Sequence, residues 1–130
     1  MIERLKVRFA YQRGFQVVDG SHVLETFDSR DEAFKYVDAR DARVWLQCGR
    51  TVISGQSMPC DFAASFADDR SVGRIRKNAH GPGAGTWFWS MFSHDRGRVG
   101  GGHATVAIKD EAVIGVERAY TRFIAAGTNA

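Results

Sequence analysis

The sequence is poor in proline and cysteine, with two of each in 130 residues. So little proline excludes a polyproline or collagen-like chain. Two cysteines exclude a disulfide-dense secreted scaffold, and Cys48 and Cys60 are expected as reduced, largely buried thiols. No run of about 18 apolar residues occurs, so no transmembrane helix and no membrane partner are expected. Met1-Ile2-Glu3-Arg4-Leu5-Lys6 lacks the apolar stretch and cleavage site of a signal peptide, which predicts a cytoplasmic protein. Lysine is scarce as well: four lysines stand beside fourteen arginines.

What is present is ordinary for a globular chain. With 44% hydrophobic and 25% charged residues, a disordered tail and a coiled coil are excluded. The length suits one domain, since roughly 100–200 residues usually make one.

The hydrophobic pattern predicts an α+β fold: antiparallel sheets with two main helices. In residues 3–11, Leu5, Val7 and Phe9 alternate with Arg4, Lys6 and Arg8, the period of a half-buried strand. Further short strands are expected at 15–18 and 22–27, joined by the turn signal Asp19-Gly20. Ser29 and Glu32 have capping-box spacing and open a helix to about Asp41. Two apolar runs around Cys48-Gly49-Arg50 predict a hairpin over 43–54. Residues 56–70 fit a helix opened by Pro59 or an ordered loop.

The next strands are expected at 71–77, 86–93 and 103–108, separated by glycine-rich loops at 78–85 and 94–102. Lys109-Asp110-Glu111-Ala112 opens a closing helix with Ala112, Val116, Ala119, Tyr120 and Phe123 on one stripe. Gly115 weakens that helix by about 1 kcal/mol relative to alanine. One compact domain over 1–126 is expected, with 127–130 as a frayed tail. Its units, 3–41 and 71–126, each run three strands then a helix, and the Asp-Glu-Ala start recurs at 31–33 and 110–112. This suggests a pseudo-repeated βββα plan.

Gly73-Arg74-Ile75, Gly81-Pro82 with Gly85, Trp87-Phe88-Trp89-Ser90 and the closing acidic-Ala helix resemble a set of small uncharacterised bacterial proteins. Those proteins share a G-R-I, G-P-x-x-G, W-F-W-S pattern. The resemblance covers about residues 71–125 and implies a fold but no activity. The first half is similar in outline to short modules with a strand–strand–helix order.

Charge is unevenly placed. Over residues 70–103, Arg70, Arg74, Arg76, Lys77, Arg96 and Arg98 face only Asp95, while the first helix region is acidic. Arginine binds phosphate with a planar fork and stacks on bases. In strand 86–93, Trp87, Trp89 and Met91 project to one face and Phe88, Ser90 and Phe92 to the other. Such a strand is usually central and covered twice, but an uncovered face would be a stacking platform. The glycine loops carry no P-loop lysine and precede strands, so neither is a nucleotide fingerprint.

The first function reading is therefore a small non-enzymatic binding module for nucleic acid. Its candidate residues are Arg4, Lys6, Arg8, Arg74, Arg76, Lys77, Trp87, Trp89, Arg96 and Arg98. The second is a protein-interaction, inhibitor or accessory protein of phage or plasmid type, or a homodimer through a sheet edge. The third is a small enzyme centred on His94, Asp95 and His103. No zinc spacing or nucleophile elbow supports the third, and no metal or cofactor is expected.

Overall fold

A computed structural model, which describes residues 4–53, 55–66, 70–78, 81–95 and 97–127, has an α+β fold of two helices and two sheets. Strands β1 (Arg4–Ala10), β2 (Gly14–Asp19) and β3 (His22–Phe27) form an antiparallel meander. Helix α1 (Arg30–Ala39) follows, started by Ser29, whose hydroxyl accepts from the Glu32 amide at 3.2 Å. The short β4 (Arg43–Val44) then pairs parallel to β1, giving the order β3-β2-β1-β4. The parallel pair is possible because α1 carries the chain back across the sheet.

The second sheet is a five-stranded antiparallel meander: β5 (Gln47–Ile53), β6 (Gln56–Phe66), β7 (Arg70–Lys77), β8 (Trp87–Asp95) and β9 (Arg98–Val106). Helix α2 (Lys109–Ala126) packs on β7, β8 and β9, and also touches β4 and α1. One hydrophobic core joins both sheets: Leu5 and Val17 from the first, Ile75 and Met91 from the second, Phe34 from α1, Val116 and Ile124 from α2. Each large apolar side chain fully buried there contributes about 1.5–3 kcal/mol. Phe34 sits at the centre, edge-on to Phe66 (5.0 Å) and Tyr120 (5.5 Å).

Three sequence expectations need correction. The predicted 43–54 hairpin does not exist: Arg43–Val44 joins the first sheet, and Cys48-Gly49-Arg50 lies inside β5 rather than in a turn. The 56–70 segment is neither helix nor loop over 56–66, but strand β6. Proline is tolerated in this inner strand because the ladder breaks around it. The β5 register jumps from the Arg50–Phe62 pair to Val52–Ser57, and pairing with β7 begins only at Asp61. The loop expected at 94–102 is mostly strand. β8 runs to Asp95 and β9 starts at Arg98, with Gly97 at φ +83° in the tight connection. The suggested βββα repeat is not confirmed: α1 follows three strands but α2 follows a five-stranded meander, and the sheets differ in the sense of the added strand. Gly127 closes α2; residues 128–130 of the expected tail lie outside the described residues.

Two local features hold α2 in place. The first is a fully buried carboxylate, Glu117. It accepts hydrogen bonds from Arg4 Nε (3.0 Å) and Nη2 (2.6 Å), Arg43 Nε (2.8 Å) and the Leu46 amide (2.9 Å). One turn later the Thr121 hydroxyl accepts from the Val44 amide (2.8 Å) and donates to the Glu117 carbonyl (2.7 Å). The second is Gly115, which lies against the Trp89 indole so closely that a Cβ there would overlap the ring. The residue that looks like a helix defect is therefore a seat for the tryptophan.

Two stability outcomes are expected. Glu117→Ala leaves Arg4 and Arg43 without their carboxylate and the Leu46 amide unpaired, and should cost about 3–5 kcal/mol in urea unfolding. A loss below about 1 kcal/mol would mean that the cluster is not coupled to folding. Gly115→Ala gains about 1 kcal/mol of helix propensity but overpacks Trp89, which typically costs about 1–3 kcal/mol. The melting temperature should fall; a rise would show that Trp89 moves aside freely.

Candidate functional site

The register of β7, β8 and β9 sorts their residues onto two faces. Gly73, Ile75 and Lys77 pair with Met91, Trp89 and Trp87, which pair in turn with Gly102, Ala104 and Val106. This is the face under α2. Trp87 and Trp89 therefore pack against the core and do not form an open platform. The opposite face carries Arg74 and Arg76 on β7, Phe88, Ser90 and Phe92 on β8, and Gly101, His103 and Thr105 on β9. Among the described residues, β8 is covered on one face only. On the uncovered side Phe92 remains 48% exposed.

The uncovered side chains are ordered across the strands. The Arg76 guanidinium lies 5.2 Å from the centre of the Phe88 ring, and Phe88 lies 5.9 Å from the His103 ring. Arg74 is clamped by Asp61 on β6: its Nε donates to Oδ1 at 2.8 Å, and its Nη2 donates to Oδ2. Hydrogen bonding to Asp61 pushes the Arg74 pKa up, with desolvation opposing, so this side chain stays charged. Between Arg74, Arg76, Phe88, Ser90 and Phe92 lies a shallow cavity of about 240 Å³. Gly101, opposite Phe92, adds no side chain there, and nothing in its own packing requires glycine, since a Cβ would meet only the Met91 carbonyl at 3.8 Å.

Of the nine sequence candidates that are described, only Arg74 and Arg76 lie together on this face. Arg4 is bound to Glu117 and stacks over Trp45 at 4.1 Å. Lys6 and Arg8 pair with Val18 and Gln16 on the other sheet, where Arg8 Nε donates to the Gln16 side chain at 3.0 Å. Lys77 is exposed at the end of β7, on the tryptophan side. Trp87 and Trp89 are half-buried under α2. Arg98 lies over Phe123 of α2 at 4.5 Å and donates to its carbonyl at 3.0 Å, so it is not on a free loop. Arg96 lies outside the described residues.

Phe88, Ser90, Phe92 and His103, which share the open face with Arg74 and Arg76, are not among the ten binding candidates, because alternation cannot say which face of a two-sided apolar strand is covered. The closing helix stripe could have helped. It must cover one face of its sheet, and the two indoles, the bulkier set, are what it covers.

His94 pairs with Val99 and His103 with Ser90, four registers apart, or about 13 Å along the strand. The expected His94, Asp95 and His103 centre is therefore spread along the hairpin. Among the described residues no three His, Cys, Asp or Glu side chains gather as a metal cluster.

Cys48 is a half-buried thiol whose pKa is raised, first by burial and then by the Glu117 charge, with Arg4 and Lys109 opposing. The folded chain thus holds this proton more tightly than the unfolded one. The associated stability is complete below the ordinary thiol range and is lost as pH rises through and beyond it. Alkylation of Cys48 by iodoacetamide, followed by peptide mass spectrometry at about pH 8.5, should be at least about tenfold slower folded than in urea. Equal rates would contradict a protected thiol.

No protein family, curated protein or solved structure matches the chain.

Proposed function

We propose that the chain is a non-enzymatic nucleic-acid-binding module that takes a single strand across the open face of the five-stranded sheet. The observation that carries this reading is the placement of Arg74 and Arg76 beside Phe88 and Phe92 on one uncovered face. Phe88 and Phe92 offer ring surfaces for bases. Arginines two residues apart on β7 repeat at about 6.6 Å, a step suited to successive phosphates of an extended strand. A single strand is favoured over a duplex because the rings can act only on unstacked bases. Ser90 and Gly101 keep the floor between the rings low, so a base can approach. The side chains stand on paired strands, so little order has to be created on binding.

A protein partner is the second reading. It is favoured by the exposed apolar residues Phe9 and Tyr11 at the β1–β2 end and Val23 and Leu24 on β3.

Fluorescent single-stranded oligonucleotides, titrated by anisotropy at about 50 mM salt, should bind and weaken roughly sevenfold by about 200 mM if two phosphates are neutralised. Phe88→Ala should cost about 1–3 kcal/mol of affinity, the worth of one stacked base. Arg74→Ala with Arg76→Ala should flatten the salt dependence by about 1.4 log units per decade. No binding at low salt, or binding indifferent to all three substitutions, removes this face as a nucleic-acid site and leaves the protein-partner reading.

A further inference from the structure

A second concavity lies away from the open sheet face. Between the start of β5, the 45–46 link and the first two turns of α2 is a cavity of about 910 Å³. That is within the size range of small-molecule sites, about 300–1,000 Å³. Its walls divide by chemistry. Trp45, Val113 and Ile114 supply apolar surface, while Arg4 and Lys109 bring positive charge. Trp45 is 51% exposed although it follows directly on β4.

The Arg4 guanidinium is fixed from two sides. Its Nε and Nη2 bind the Glu117 carboxylate, and its plane lies over the Trp45 ring at 4.1 Å. Among the described residues, Nη1 has no acceptor and keeps two N–H donors at the cavity wall. Lys109 is similarly placed, with its ammonium 3.7 Å from the centre of the Phe62 ring. At the wall Arg4 and Lys109 bring positive charge beside the exposed Asp110, and Arg4 and Arg43 both pair with the buried Glu117. The Glu117 pairing that fixes Arg4 thus leaves its Nη1 without an acceptor among the described residues, on a side chain that lines the cavity with an indole and two branched aliphatic residues.

We propose that this cavity binds a small organic anion, a carboxylate carried on an apolar, ring-sized body. The carboxylate takes the outer edge of Arg4 with support from Lys109, and the apolar body lies against Trp45, Val113 and Ile114. The site is independent of the nucleic-acid face: none of its residues lies on the outer side of β7–β9.

The test is calorimetric titration of the full chain with 2-naphthoate, with neutral 2-naphthalenemethanol and with inorganic phosphate. Naphthoate should bind at one site, with the alcohol at least about tenfold weaker and phosphate unable to displace it. Lys109→Gln and Ile114→Glu, both checked for native circular dichroism, should each weaken naphthoate by about tenfold or more, while Phe88→Ala leaves it unchanged. Should Ile114→Glu not fold, Lys109→Gln decides alone. Absence of saturable binding, equal binding of the alcohol, displacement by phosphate, or indifference to the cavity substitutions would each overturn the proposal. Loss of binding in Phe88→Ala would do the same by placing the ligand on the sheet face.

Discussion

Glu117 is the point through which the two sheets are made one structure. It belongs to α2, which packs on the five-stranded sheet, yet its partners are Arg4 on β1, Arg43 on β4 and the Leu46 amide in the link to β5. Burying a carboxylate costs several kcal/mol before any partner is supplied. Here every lone-pair direction is occupied by a donor whose own position depends on the fold. The parallel β1–β4 pair is only two residues long and would be weak alone. The Val44–Thr121 bond and the Arg43–Glu117 ion pair hold it against α2 instead. An apolar residue at 117 would fill the space but leave the Leu46 amide without an acceptor. That makes the charge a constraint on where α2 can sit, rather than a simple gain in stability.

With α2 anchored in this way, close approach to its sheet follows from small residues on both sides. Gly73 lies under Val116 and Gly100 under the Phe123 ring, while Gly115 on the helix receives the Trp89 indole. A side chain at any of the three would meet its neighbour at less than ordinary contact distance. The helix therefore covers the tryptophan face of β8 tightly, and the single layer of helix leaves the phenylalanine face bare. The open face is a consequence of packing on the opposite side. Its two phenylalanines stand on β8, which pairs with β7 on one edge and β9 on the other, while His103 stands on the edge strand β9.

Much of this architecture was legible in the residues. Alternation located β1, β7 and β8, and the Ser29 and Lys109-Asp110-Glu111 starts located both helices. What failed did so for identifiable reasons. Gly49 suggested a turn, but on β5 it stands opposite Ala63, where a side chain would meet nothing. Pro59 argued for a helix start because proline suits the first helical position, but the register breaks around it in β6, where a proline can be accommodated. Gly100-Gly101-Gly102 looked like a loop tip. Gly100 is instead required by the Phe123 ring, so composition was mistaken for conformation. Glu117 could not be found from pattern at all. It sits beside Val116 and before Arg118, where a surface charge is the ordinary expectation, and its partners are at least 71 residues away in sequence.

The same distinction decides how the arginines should be counted. A sum over residues 70–103 treats every guanidinium as available to a phosphate. In the fold, Arg98 closes α2 against β9 and Arg74 is paired with Asp61, just as Arg4 and Arg43 are paired with Glu117. An arginine held by a carboxylate still offers its remaining N–H groups in a fixed direction, but its net charge toward a distant anion is largely cancelled. On the proposed reading, the sheet face would therefore attract nucleic acid weakly at long range and hold it through contact. Stacking on Phe88 and Phe92 would then carry more of the proposed affinity than steering does, and the sum of positive charges overstates how basic this face is.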